Sequence, residues 1–339
     1  MDVSENGSAK MNFWLIKLAV CAVALVTTAG SALAQERISF LTDWLAEAEH
    51  GGFYQALAEG LYKDAGLDVT IKQGGPQVNT AQLLLSGAVD MAIQANSFIP
   101  LNAVKENANY VAVAAFFQKD PQILMSHPDS GFKTLADLKG KPILISNDAW
   151  ETYWKFLKVK YGFDDKQGRP YTFNLAPWLA DKTLTQQGYL TSEPFAARVA
   201  GVDPIVFLLA DYGYSTYSQV LMVSRKMVEE NPKVVQAFID ASIKGWYDFL
   251  NGDRSKATAL IVKDNPDYTP KMNEDSVAAL RQYGILTSGD AATLGIGAMT
   301  DARWKDFFDT MVEAGVYPAT MDYKKAYTLQ FVDKKIGLQ

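Results

Sequence analysis

From Gln35 onward, short apolar runs alternate with stretches whose apolar residues recur at helical spacing, and this alternation constrains the fold more than any other feature. Strands are predicted at 38–41, 69–71, 91–93 and 111–115, with helices at 53–65, 80–86 and 98–105 between them. Strand, helix, strand in that order implies a mostly parallel sheet with crossover helices, an α/β architecture. A second alternating set follows, with strands at 122–126, 143–146, 171–175, 189–191 and 205–208 and helices at 151–161 and 195–200. Past a strand at 219–223 the chain reads as amphipathic helices at 232–250, 254–263, 273–286 and 301–313. A chain of this length with 48% hydrophobic residues can bury two cores.

Ahead of Gln35, residues 11–34 carry Lys17, an apolar run over 18–26 and Ala32, Leu33 and Ala34. This is the layout of a secretory signal peptide, so residues 1–34 are expected to be removed, leaving a periplasmic protein that starts near Gln35. The residues before Met11 read as an over-extended start. The apolar run is well short of the ~20 residues a spanning helix needs. Cys21, the single cysteine, lies inside it, so the mature chain is expected to contain no disulfide, no thiolate metal ligand and no cysteine nucleophile. Asp2, Glu5, Lys10 and Lys17 cancel, so the net charge of −6 belongs to the mature part. Nothing in that balance suits a nucleic acid or an anionic membrane surface.

In open α/β sheets, ligands sit where strand carboxyl ends meet helix amino ends. The loop after the first strand carries Asp43, Glu47 and Glu49 without a lysine or arginine, and sets Trp44 and His50 on its rim. Such a potential favours a neutral or weakly cationic aromatic ligand over an anion. Trp150, Trp178, Tyr189 and Tyr212 fall at further predicted strand ends or loops, where a core would not normally gather large rings. Asn96, Phe116 and Asn147 lie just beyond other predicted strands and complete the candidate ligand set with Glu193. That glutamate precedes Pro194 at a helix start, where a carboxylate is either a ligand contact or a helix-terminal charge paired with Arg198. His127, before Pro128, reads as a surface residue near a hinge. Two histidines and no mature cysteine make no recognisable metal site, and no cofactor is expected. Gly74 and Gly75 are expected to turn the chain into a helix capped by Asn79.

Several pieces in sequence order carry a resemblance: the strand ending at Trp44 with His50 six residues on, Gly66-Leu-Asp-Val, Ser86-Gly-Ala-Val-Asp-Met-Ala, Leu135-Ala-Asp-Leu-Lys-Gly-Lys-Pro, Gly188-Tyr-Leu-Thr-Ser-Glu-Pro and Asn231-Pro-Lys-Val-Val. Together the chain resembles the type II periplasmic binding proteins, in particular their thiamine-precursor branch, whose relatives bind sulfonates, taurine and nitrate. The resemblance implies two Rossmann-like lobes joined by a two-strand hinge with a cleft between them. Lobe one would comprise residues 35–122 plus 222–339 and lobe two residues 123–221, with the helical tail returning to lobe one. It implies a monomeric solute-binding component of an ABC importer, delivering a small molecule to a permease and ATPase complex. By the same resemblance Glu193 would bond the ring nitrogen and amino group of an aminopyrimidine, and Trp44 and Tyr189 would sandwich its ring. Riboflavin or another flat heterocycle, an alkyl sulfonate, and a secreted enzyme are the alternatives. The eukaryotic pyrimidine synthases of this family place a cofactor-binding lysine, a histidine four residues later and a cysteine-rich iron motif where this chain has Gln94, Phe98 and the stretch 214–218. That chemistry needs an amine and soft or imidazole ligands, which these residues do not supply.

Overall fold

A computed structural model describes residues 35–75, 78–146 and 148–338. The expected signal peptide and Asn147 lie outside the described residues. Among the described residues, ten strands form two five-stranded sheets. The first contains β1 (Glu36–Leu41), β2 (Leu67–Lys72), β3 (Met91–Asn96), β4 (Tyr110–Phe117) and β10 (Ser218–Ser224). The second contains β5 (Gln122–Ser126), β6 (Ile143–Ile145), β7 (Gly168–Pro170), β8 (Thr185–Tyr189) and β9 (Ile205–Leu208).

The two sheets repeat one plan. Their orders are β2-β1-β3-β10-β4 and β7-β6-β8-β5-β9. Each has three parallel strands on one side and, as its fourth, an antiparallel strand that arrives from the other sheet. The strand β5 enters sheet two straight from β4, and β10 enters sheet one straight from β9, so residues 118–121 and 209–217 form the two crossings. The boundary expected at 221/222 falls inside β10, all of which belongs to sheet one. Lys119 and Asp211 pair at 2.8 Å across the two crossings. Arg303, from the helix Asp301–Glu313, donates to the carbonyls of Gln118, Ser215 and Thr216 and lies over the Tyr217 ring, so one guanidinium ties both crossings to lobe one.

Small residues let a helix of the tail pack closely on the first helix. The helix Pro232–Asn251 crosses the helix Gly51–Ala58 so closely that a Cβ on Gly245 would sit 2.2 Å from the Gly52 carbonyl oxygen, while Gly52 itself lies under Trp246. In that core Phe40 packs on Phe53 and Phe238, and Phe53 on Phe116, with ring centroids 4.8–5.0 Å apart. The helix expected over 53–65 is broken at Gly60, which adopts a left-handed φ of 78°. Among the described residues, no helix is long and apolar enough to cross a membrane.

Candidate functional site

The loop leaving β1 is held from behind by a close approach of backbone to backbone. Gly74 donates to the Trp44 carbonyl at 3.1 Å, and a Cβ there would meet the Thr42 oxygen at 2.5 Å. Glycine is therefore required to support this loop, and the expected cap also forms, Asn79 accepting from the Gln82 N–H at 2.9 Å.

On the front of the loop, Asp43 organises two elements. Its Oδ1 lies 2.8 Å from His50 Nε2, and it accepts from Gln219 Nε2 at 3.1 and 3.3 Å. His50 and Gln219 are each 1% exposed, and His50 Nδ1 and Gln219 Oε1 find no partner among the described residues. Gln219 also has a φ of 49°, a left-handed conformation at the start of β10 that costs a non-glycine residue of order 1 kcal/mol. Strain and unfilled hydrogen-bonding capacity at one place are marks of a ligand site.

Glu47 and Glu49 continue the same rim. Burial raises the Glu47 carboxyl well above the ordinary range, and Glu49, Glu193 and Asp43 nearby add to the rise. Burial likewise raises Glu49, against the hydrogen bond from the Thr191 hydroxyl and the influence of His50. At the first crossing, burial pushes Asp120 up to about 7 although it accepts from the Gln122 N–H at 2.9 Å. Asp43 adds to that rise.

Lobe two faces this rim with β8 and the segment after β7. Glu193 folds back over β8: its Oε2 accepts from the Tyr189 N–H at 2.7 Å and from the Ser192 hydroxyl at 2.5 Å, and its Oε1 from the Tyr171 hydroxyl at 2.9 Å. The fold-back needs Gly188, where a Cβ would stand 2.8 Å from that of Glu193. Tyr171 and Phe173 lie 5.2 Å apart, and Phe173 reaches across to Trp44 at 5.5 Å. Further contact between the lobes comes from Thr191, which donates to Glu49 and whose carbonyl accepts from Ser276 at 2.9 Å. Burial raises the Tyr189 phenol well above its ordinary range, and Asp120 and Asp43 add to the rise.

Of the sequence-predicted residues, then, Trp44, His50, Tyr189 and Glu193 converge on one gap. Asn96 stands at the end of β3, paired with Ser218, and spends its Oδ1 on the Phe98 N–H at 3.2 Å. Four others are corrected. Phe116 is fully buried against Phe53 in the lobe-one core. Trp178 is fully buried and stacks on His127 at 4.0 Å, at the end of sheet two away from Tyr189, where β5 ends. Trp150 packs over Gly168 and against Trp154 inside lobe two. Tyr212 serves through its carbonyl, which accepts from the Tyr161 hydroxyl at 2.7 Å. His127 is neither exposed nor near a crossing: it is 2% exposed, with Nε2 2.7 Å from the Trp178 carbonyl. The pairing of Glu193 with Arg198 is also replaced, since Arg198 binds Asp203 at 2.7 Å.

Sequence reasoning passed over Gln219, Thr191, Tyr171, Phe173 and Asp120. The first two act through partners 176 and 142 residues away, a separation that no local pattern reports. Phe173 offered the one usable signal, a large ring in a polar stretch; it is 53% exposed. Among the described residues, no group of three or more histidine, cysteine or acidic side chains is placed to hold a metal ion.

The chain is similar to the riboflavin-binding protein RibY of Chloroflexus aurantiacus, 22% identical over 88% of this chain and 86% of the relative. It is similar to the formylaminopyrimidine-binding protein of Halalkalibacterium halodurans, 25% identical over 80% and 85%. A yeast relative, the 4-amino-5-hydroxymethyl-2-methylpyrimidine phosphate synthase THI11 of Saccharomyces cerevisiae, is 24% identical over 74% of this chain and 76% of its own length. Among solved structures, the periplasmic sulfonate-binding protein SsuA of a putative sulfonate ABC transporter from Methylobacillus flagellatus superposes with a TM-score of 0.59 at 14% identity, covering 88% of this chain and 93% of that one. The Candida albicans CA3427 gene product, described as having the generic periplasmic binding protein fold, superposes with a TM-score of 0.60 at 18% identity over 86% and 96%. The two lobes thus have the periplasmic binding protein fold, and since the family described as NMT1/THI5 like matches residues 47–254, the chain belongs to that family.

Proposed function

We propose that this protein is the solute-binding component of an ABC importer and that its cleft captures a flat heterocycle bearing an amino group, of the pyrimidine thiamine-precursor class. The observation that carries the reading is the meeting of aromatic rings and carboxylates from both lobes: Trp44 against Phe173, with Asp43, Glu47, Glu49 and Glu193 around them. Rings stack on a flat ligand, and carboxylates accept from its amino group and favour its protonated form. The formylaminopyrimidine-binding relative supports the ligand class, and the sulfonate ABC transporter protein supports the transport role and the permease and ATPase partners. The signal-like segment before Gln35 agrees with export to the periplasm.

Charge argues against a sulfonate, because an anion would enter a gap whose charged neighbours are chiefly carboxylates. Riboflavin is the second reading, favoured by similarity to RibY and by the same rings. An enzyme reading through a lysine-bound cofactor is disfavoured by Gln94, which is buried with its Oε1 accepting from Thr80 at 2.9 Å and offers an amide in place of an amine.

Mass spectrometry of what co-purifies, followed by calorimetry with an aminopyrimidine, riboflavin and an alkyl sulfonate, tests the reading. Trp44→Ala is expected to cost about 1–3 kcal/mol of aminopyrimidine affinity, the usual scale of ring stacking, with the melting temperature unchanged. Preferential binding of the sulfonate, or turnover of any of the three compounds, would sink it.

A further inference from the structure

The ring that meets Trp44 across the cleft is Phe173, and it stands there against two penalties. Its φ is 57°, a left-handed backbone conformation that a residue with a bulky side chain rarely adopts outside a constrained turn or a functional site. Phe173 is also 53% exposed, so little burial offsets that strain. What its ring touches is other rings, Tyr171 at 5.2 Å and Trp44 at 5.5 Å.

The two walls of the gap differ in how firmly they are held. Trp44 is fixed through its carbonyl, which accepts from the Gly74 N–H at 3.1 Å and from the Thr42 hydroxyl at 2.8 Å. Phe173 lies between two anchors and is tied by neither. Before it, Tyr171 donates its N–H to the Ile145 carbonyl at 2.9 Å and its hydroxyl to Glu193 at 2.9 Å. After it, the Asn174 side-chain oxygen accepts from the Ala176 N–H at 2.9 Å, at the start of the helix Ala176–Ala180. The N–H and carbonyl of Phe173 itself make no hydrogen bond among the described residues. Ring spacing then decides what the gap can hold. Stacked carbon atoms settle about 3.5–4.0 Å apart, so a flat heterocycle between two rings needs about 7–8 Å. Trp44 and Phe173 are 5.5 Å apart and inclined at 40°, in contact with each other. A ligand ring enters between them only when one moves by about 2 Å, and Phe173 is the one left free to do so.

We propose that Phe173 is a swinging wall of the ligand site: with the cleft empty its ring rests on Trp44, and an entering heterocycle turns it aside, after which it covers the ligand face that Trp44 does not. This rests on the amino-heterocycle reading above. The motion is a rotation about the backbone of Phe173, with Tyr171 still bonded to Glu193 as its pivot. Phe173 is thus a positioning residue, supplying a stacking surface and no polar contact.

The test places 4-fluorophenylalanine at position 173, a single fluorine reporter on this ring, and uses 4-amino-5-hydroxymethyl-2-methylpyrimidine as the probe. In the ligand-free protein the Trp44 indole is expected to shift the fluorine resonance, so Trp44→Leu should move it. Saturating probe should move the resonance of the protein with Trp44 intact to a second position. A ligand-free resonance indifferent to Trp44→Leu overturns the resting contact. A resonance that stays in place while calorimetry shows the probe binding overturns the swing and leaves the ligand reading standing, whereas absence of binding overturns the swing together with that reading. Stopped-flow kinetics of Phe173→Gly, whose backbone accepts a φ of 57° without strain, then separates a wall from a residue that only shapes its loop. Loss of the stack is expected to raise the off-rate about tenfold, and loss of the obstruction to raise the on-rate, with Phe173→Tyr close to wild type in both. Either rate left unchanged in Phe173→Gly, with only the melting temperature altered, overturns the proposal.

Discussion

The two faces of the cleft use the same residue type in opposite ways. On lobe two, Glu193 is saturated: a backbone N–H and two hydroxyls converge on its oxygens, three donors for one carboxylate. On lobe one, Glu49 receives a single hydroxyl, from Thr191, and its other oxygen is buried and left unmet among the described residues. A carboxylate supplied with donors is held in one position, whereas one deprived of them is poised to respond to whatever enters. Sequence position does not distinguish the two, since both glutamates sit in polar loops beside strand ends. Their donors do.

The largest way to disturb this contrast is pH, because the buried acids have raised folded-state pKa values. Asp120 is the clearest: 2% exposed and held up to about 7, against an ordinary aspartate near 4. Its folded form binds a proton more tightly than its unfolded form does. The native state is therefore unpenalised at acid pH and loses stability as pH rises from about 4 through 7, by at most on the order of 4 kcal/mol from this group. Thermal melts are expected to drop between about pH 4 and 7, with the drop reduced in Asp120→Asn. A flat wild-type profile would mean that these acids are solvated normally.

Next comes Asp43, the hub of the lobe-one face. Asp43→Ala removes the acceptor of two buried donors, His50 Nε2 and Gln219 Nε2, and is expected to destabilise by about 3 kcal/mol. Asp43→Asn, which keeps an acceptor, is expected to cost less. Equal losses in chemical denaturation would show that charge and not hydrogen bonding holds the loop.

What the sequence revealed and what it hid follow from where the signals lie. The strands at 122–126 and 205–208 and the helix at 301–313 fall where their apolar patterns put them, because each buries a face. The strand β8 was expected several residues late, at 189–191, because it is built from Thr185, Gln186 and Gln187, buried polar residues that mimic a loop. Two of them have partners: Gln187 Oε1 accepts from the Ser146 N–H at 2.6 Å and from the Tyr153 hydroxyl at 2.7 Å, and Thr185 bonds Ser126 at 2.8 Å, whereas the Gln186 amide is buried without a partner among the described residues. The strand β7, a Gly-Arg-Pro segment, carries no strand signature and exists because Trp150 fills the space beside Gly168 and β6 pairs with it. For the proposed site, Trp44, His50, Tyr189 and Glu193 are legible as side chains near strand ends. Trp178 and Phe116 satisfied the same rule and are core, because ring size alone does not say which side of a sheet end a residue faces.

A smaller perturbation acts on lobe two alone. In Gly188→Ala the new methyl would stand 2.8 Å from the Glu193 Cβ, so the glutamate must leave β8 or the strand must shift. The overpacking is expected to cost about 2 kcal/mol and to loosen Glu193 from its three donors. Aminopyrimidine affinity should fall with it. Unaltered affinity in a destabilised variant would make Glu193 a purely structural cap for its helix.

The smallest expected effect is also the most discriminating for Glu193. A glutamate at a helix start with an arginine one turn on invites the view that the two simply pair, in which case Arg198→Ala would free the carboxylate. The geometry says otherwise: Arg198 Nε binds Asp203 at 2.7 Å, with the two side chains 47% and 80% exposed. An ion pair that open is screened by water and salt and adds little. Removing Arg198 should therefore change stability by no more than about 0.5 kcal/mol and leave ligand affinity where it was. Glu193 keeps its place because Tyr189, Ser192 and Tyr171 hold it and not because a cation does. A drop in ligand affinity in Arg198→Ala comparable to that in Gly188→Ala would show that the arginine reaches Glu193 in the ligand-bound protein, and the contrast between a saturated and a deprived glutamate would have to be redrawn with charge on both sides.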